Sequence, residues 1–163
     1  MKAYKKVYPR PQLVRKDWID LNGAWDFQFD DENQGEWEKW YTCFPQDHLK
    51  IEVPYTYETE LSGISDTSLH QYIWYHRQVR IGNLKNDHYQ FLHFEGADFL
   101  TKVWVNGNYA GEHKGAYERF SFDISQFLQV GINDITVRSE DSSDLEQPRG
   151  KQRWMDHNFG CWY

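Results

Sequence analysis

Val103-Trp104-Val105-Asn106-Gly107-Asn108-Tyr109-Ala110-Gly111 places an Asn-Gly pair between two extended runs. A two-residue type I′ turn needs positive φ at both central positions, and Asn and Gly adopt it at the lowest steric cost. A tight β-hairpin is therefore predicted here. Immediately upstream, residues 73–81 (IWYHRQVRI), 89–94 (YQFLHF) and 102–105 (KVWV) are rich in β-branched and aromatic side chains, as strands are. Downstream, 119–124 (RFSFDI) alternates, 126–128 (QFL) reads as a short turn, and Gly131-Ile132-Asn133 leads into a strand over 134–139 (DITVRS).

Further out, Asn22-Gly23 supplies a turn. Trp25, Phe27 and Phe29 then alternate with polar residues, as one buried strand face requires. Residues 35–41 (GEWEKWY) suit one or two helical turns in a surface excursion, and 51–53 (IEV) is a brief strand stopped by Pro54. The run 55–71 has no sustained period of 2 or 3.6 and reads as a long exposed loop, where function often resides. Short strands with little helix predict an all-β antiparallel sandwich.

At 163 residues the chain is expected to form a single domain, able to bury a core without disulfide or metal. Lys and Arg number 18 against 25 Asp and Glu, with no basic stripe to neutralise phosphates, so nucleic acid is not an expected partner. Nowhere do 18 consecutive apolar residues occur, so no membrane association is expected. The N-terminus lacks an apolar signal core, and a cytoplasmic location is expected. The aromatic end Cys161-Trp162-Tyr163 reads as a cut inside a longer protein. Aromatic residues make up 18% of the chain; they suit either a β-rich core or a sugar-stacking surface.

Cys43 and Cys161 form no CxxC pair and are expected to be reduced thiols. His70, His76, His88, His93, His113 and His157 show no HxH or HExxH spacing, so no metal and no cofactor is expected. Asp141, Asp144 and Glu146 lack the glycine and spacing of a calcium loop.

Eight ordered blocks carry a further signal: Trp18 to Phe27 (WIDLNGAWDF), Val53-Pro54, Trp74 to Arg77 (WYHR), Leu92 to Asp98 (LHFEGAD), Val103 to Gly107 (VWVNG), Gly111 to Tyr117 (GEHKGAY), Phe122-Asp123-Ile124 and Pro148 to Gln152 (PRGKQ). In this order they resemble the sugar-binding domain that opens family 2 glycoside hydrolases, a family of β-galactosidases, β-glucuronidases and β-mannosidases. The resemblance implies a jelly-roll sandwich similar to galactose-binding domains. It also implies an immunoglobulin-like domain and a (β/α)₈ barrel beyond Tyr163. In such enzymes the two catalytic glutamates sit on the barrel, and a retaining mechanism needs two carboxyls about 5 Å apart. No catalytic residue is therefore expected in this chain, which alone should be inactive. Glu95 and Asp98, close in sequence, correspond to residues shaping a strand-end turn.

By the same resemblance, the loop with Arg149, Lys151, Gln152 and Trp154 would reach the barrel's active-site mouth and touch the bound sugar. Arg149 and Lys151 donate to hydroxyls or a carboxylate, Gln152 both donates and accepts, and Trp154 offers an apolar face. Thr56 is a further candidate contact to the terminal sugar. Some relatives carry an acidic residue at the position of Gln152, so the galactosidase version of the site is not matched. The expected partners are a terminal β-linked sugar and the downstream barrel, within a full-length homo-oligomer. Two other readings stay open: a free-standing carbohydrate-binding module, and a structural sandwich that braces a barrel without touching sugar.

Overall fold

The computed structural model describes residues 17–84 and 87–141. Its strands are β1 (Gly23–Phe29), β2 (Leu49–Val53), β3 (Tyr72–Ile81), β4 (Phe91–Phe94), β5 (Leu100–Val105), β6 (Asn108–Lys114), β7 (Phe120–Asp123) and β8 (Gly131–Glu140). They form a six-stranded sheet in the order β2-β1-β3-β8-β5-β6 and a two-stranded sheet β4-β7. Every pairing is antiparallel. The all-β antiparallel jelly-roll sandwich is thus the fold.

The predicted hairpin is β5–β6. Asn106 and Gly107 have φ of 51° and 76°, the type I′ signature, and Val105 and Asn108 close the turn as paired residues. A bulge between Val103 and Trp104 follows.

Alternation puts Trp25, Phe27 and Ile51 of β1 and β2, Ile73 of β3, Val103 and Val105 of β5, and Ile135 and Val137 of β8 into one core. Leu92, Phe94 and Phe122 of the small sheet join the same cluster. Phe27 is fully buried, a placement that contributes roughly 2–3 kcal/mol by area alone. The pairing that closes the large sheet is β3 with β8, in register from Tyr72 opposite Glu140 to Ile81 opposite Gly131.

The segment between β1 and β2 lies over the outer face of that sheet, as a surface excursion, but it is a chain of turns without a helix. Lys39 takes a φ of 58°, which ends any right-handed run. The anchor is Asp30, whose carboxylate accepts from Gln34 N (2.7 Å), Gly35 N (3.0 Å) and the Trp74 indole N–H (2.8 Å). Tyr41 stacks on Trp104 at 5.1 Å, and Trp104 on Trp74 at 5.3 Å. This cover explains why Trp74, on the outward face, has no exposure.

Smaller differences lie at strand ends. β4 begins at Phe91 instead of Tyr89, and β8 begins at Gly131, so Gly131-Ile132-Asn133 belongs to the strand it was expected to precede. The 55–71 stretch is a loop, as expected, holding only the 3₁₀ turn Glu60–Ser62, but it is not exposed throughout: Ser62 is buried and Tyr57 reaches into the core.

Candidate functional site

A cleft of about 170 Å³ opens where the loop after β2, the loop after β4 and the end of β8 meet. Its walls are the core-facing rings and chains of Trp25, Ile73, Tyr75, Phe94 and Val137; its polar rim includes Thr56, Gln71, Asp98, Ser139 and Asp141. Strand alternation builds the wall, because the residues facing the core at the strand ends also face the opening.

The rim is held by local bonds. Tyr57 donates its hydroxyl to Ser68 O (3.3 Å), Ser139 donates to Asp98 O, and Asp141 N donates to Gln71 O (2.9 Å). His70 stacks on Phe29 with ring centres 3.7 Å apart, its Nδ1 2.8 Å from Asp31 Oδ1. Burial pushes the hydroxyls of Tyr57 and Tyr75 above the usual tyrosine range, so both stay neutral at physiological pH. Burial also raises the Glu58 carboxyl, and its own backbone, the Thr56 hydroxyl and His70 offset only part of this. Neither Glu58 oxygen finds a donor in good hydrogen-bond geometry. Apolar walls, neutral phenols and a rim of mixed donors and acceptors suit binding of a polar ligand with apolar faces.

Of the residues singled out from sequence, Thr56 lies on this cleft. Arg149, Lys151, Gln152 and Trp154 lie outside the described residues, as do Asp144, Glu146, His157 and Cys161. Asp141, the last described residue, also sits on the rim. Glu95 is tied to Arg119, Nε to Oε2 at 2.5 Å, on the connection between β4 and β5. Among the described residues no group of three or more His, Cys, Asp or Glu is arranged to hold a metal.

Sequence reading missed a second cluster, on the outer face of the large sheet. His76 Nδ1 is 3.0 Å from Asp26 Oδ2 and its Nε2 is 3.0 Å from Asp134 Oδ1. His48 Nε2 is 3.2 Å from Asp26 Oδ1, which Lys50 also contacts. The available signal was alternation: if Trp25 and Phe27 face inward, Asp26 faces outward. Only the register, with Asp26 opposite His76 and His76 opposite Thr136, brings Asp26, His76 and Asp134 together.

Residues 18–154 match the family model described as glycosyl hydrolases family 2, sugar binding domain. The β-galactosidase of Thermoanaerobacter pseudethanolicus is 30% identical over 139 residues, which is 79% of this chain and 17% of that protein. A β-glucuronidase of Paenibacillus borealis is 30% identical over 135 residues, covering 80% of this chain and 22% of its own length. Among solved structures, a β-glucuronidase from an uncultured Clostridium superposes with a TM-score of 0.68 at 25% identity, over 84% of this chain and 24% of that one. The Ruminococcus gnavus β-glucuronidase bound to D-glucaro 1,5-lactone superposes with a TM-score of 0.66 over 74% of this chain and 21% of that one; at 23% identity it supports the fold. The chain thus spans about a fifth of the length of the proteins it matches. With the family model covering most of its length and an antiparallel sandwich beneath it, this chain belongs to the sugar-binding domain family of family 2 glycosyl hydrolases.

Proposed function

We propose that this sandwich is the non-catalytic sugar-binding domain of a retaining β-glycosidase, with its strand-end cleft turned toward a barrel encoded beyond Tyr163. The observation that supports the reading is the strand-end cleft itself: an apolar wall of Trp25, Tyr75 and Phe94 beneath a polar rim that includes Thr56. In this reading the barrel supplies both carboxylates of the double displacement. The sandwich contributes hydrogen bonds from Thr56 and Gln152 to the terminal sugar, cationic donors from Arg149 and Lys151, and an apolar face from Trp154. Binding energy from such non-reacting contacts orients the substrate and is expressed mainly in kcat/KM. An immunoglobulin-like domain between sandwich and barrel, and assembly of the whole enzyme into a homo-oligomer, complete the proposal.

The test is hydrolysis of nitrophenyl β-glycosides by the chain expressed with its natural C-terminal continuation. Gln152→Ala and Thr56→Ala are each expected to raise KM several-fold with a smaller change in kcat. A continuation that hydrolyses no β-glycoside refutes the enzymatic reading. Unchanged kinetics in both variants would leave a sandwich that only braces the barrel.

A further inference from the structure

The outward face of the six-stranded sheet carries a groove of about 550 Å³, on the opposite side of the sheet from the core that walls the strand-end cleft. That volume falls in the range of small-ligand sites. Its floor includes Asp26, Lys50, His76, Gln78 and Asp134, and its wall is the 40–46 stretch. The Phe44 ring lies nearly parallel over His76, centres 5.1 Å apart.

Charge in the groove is mixed and internally paired. Asp26 faces Lys50, His48 and His76, and Asp134 Oδ1 faces His76 Nε2 and accepts from Gln78 Nε2 at 3.0 Å. A phosphate or sulfate would meet two carboxylates, and a metal cation would meet Lys50, so neither fits. The side chains hold one another in place before any ligand arrives, which lowers the ordering cost of binding. They are not saturated: among the described residues, Asp134 Oδ2 and Gln78 Oε1 accept no hydrogen bond, and the exposed Thr42 hydroxyl on the wall makes none. Open acceptors and a hydroxyl in one groove, beside an aromatic wall and without excess charge, match the adjacent hydroxyls and apolar ring face of a neutral sugar.

We propose that this outer-face groove is a second, non-catalytic saccharide site that takes a neutral pyranose unit, with Asp134 and Gln78 accepting from neighbouring hydroxyls and Thr42 closing the rim. The inference rests on the sugar-binding reading of the chain and adds a surface remote from the strand-end cleft. Such a site would hold a glycan on the sandwich while another part of it is processed.

The test is an NMR titration of the isotopically labelled 163-residue chain with two neutral probes, lactose and cellotriose. Saturable shifts are expected at the amides of Thr42, Gln78 and Asp134, with a dissociation constant on the order of millimolar. Gln78→Ala and Asp134→Ala should each weaken binding about tenfold, equivalent to roughly 1.4 kcal/mol. Amide dispersion shows whether each variant is folded. Thr42→Trp narrows the groove from an exposed position without touching the network, and it should also weaken binding. Absence of saturable shifts in the groove with both probes overturns the proposal, as does unchanged affinity in the folded variants. Shifts confined to Thr56 and Gln71 overturn it too while leaving the cleft reading intact. Groove binding in a chain whose barrel-joined form ignores Thr56→Ala and Gln152→Ala would uphold the groove and remove the cleft.

Discussion

A Cβ placed on Gly35 would stand 2.6 Å from the indole ring of Trp74 and 2.8 Å from Asp30 Oδ2. Gly35 is the point where the excursion between β1 and β2 comes down on the large sheet, and Trp74 has no room to yield because it is fully buried between Trp40 and Trp104. Gly35→Ala should therefore destabilise the domain by about 2 kcal/mol, the usual cost of forcing extra volume into a packed site. Urea unfolding followed by tryptophan fluorescence measures it; a shift below about 0.5 kcal/mol would contradict this packing.

Asn133 is buried without exposure and holds the start of β8. Its side-chain oxygen accepts from Asn106 Nδ2 and Gln129 N, both at 2.8 Å, and its amide donates to Gln129 O (2.7 Å) and Gly131 O (3.2 Å). Asn106 in turn accepts from Asp134 N, so the hairpin turn and β8 share one polar network. Asn133→Ala strands several of these groups away from water and should cost about 3 kcal/mol in unfolding free energy.

Asp26 gives a pH signature. Burial raises its carboxyl, but the hydrogen bonds from Lys50 and His76 and the charges of Lys50 and His48 outweigh this and hold it below its ordinary value of 3.8. A depressed folded value means that ionised Asp26 stabilises the fold above about pH 3.8 and that this contribution is lost as the pH falls through the folded value. Asp26→Asn should be less stable than the parent at pH 7 by about 1 kcal/mol, allowing for solvent screening. Guanidinium unfolding at a series of pH values should show the two proteins converging toward pH 2.

Glu58 has the opposite sign. Its folded carboxyl is raised above its ordinary 4.5, chiefly by burial. Its contribution to stability is thus complete below about pH 4.5 and is lost as the pH rises through the folded value. Glu58→Gln should match the parent at pH 4 and exceed it at pH 7, by no more than about 1 kcal/mol after screening. Thermal melts at the two pH values check this, and a variant less stable than the parent at pH 7 would contradict the burial of the charge.

Much of the architecture was legible in local pattern. Asn106-Gly107 demanded its turn because few residue pairs tolerate two consecutive positive φ values, and Trp25 and Phe27 declared an inward face by alternating with Asp26 and Gln28. Thr56 was reached through family resemblance, and its place on the cleft rim came from the folded chain. The helical reading of residues 35–41 failed because the segment takes its shape from Asp30 and from the Trp74–Trp104 surface beneath it, partners that local propensity does not see.

By itself the sequence determined the strands, the hairpin and the two-sided alternation, since these follow from steric limits on neighbouring residues. Tertiary structure alone decided that Asp26, His76 and Asp134 share one outer groove and that Thr56 and Asp141 share one rim. Those groupings depend on the register of strands distant in the chain, above all β3 against β8, and register is set by how the whole core packs.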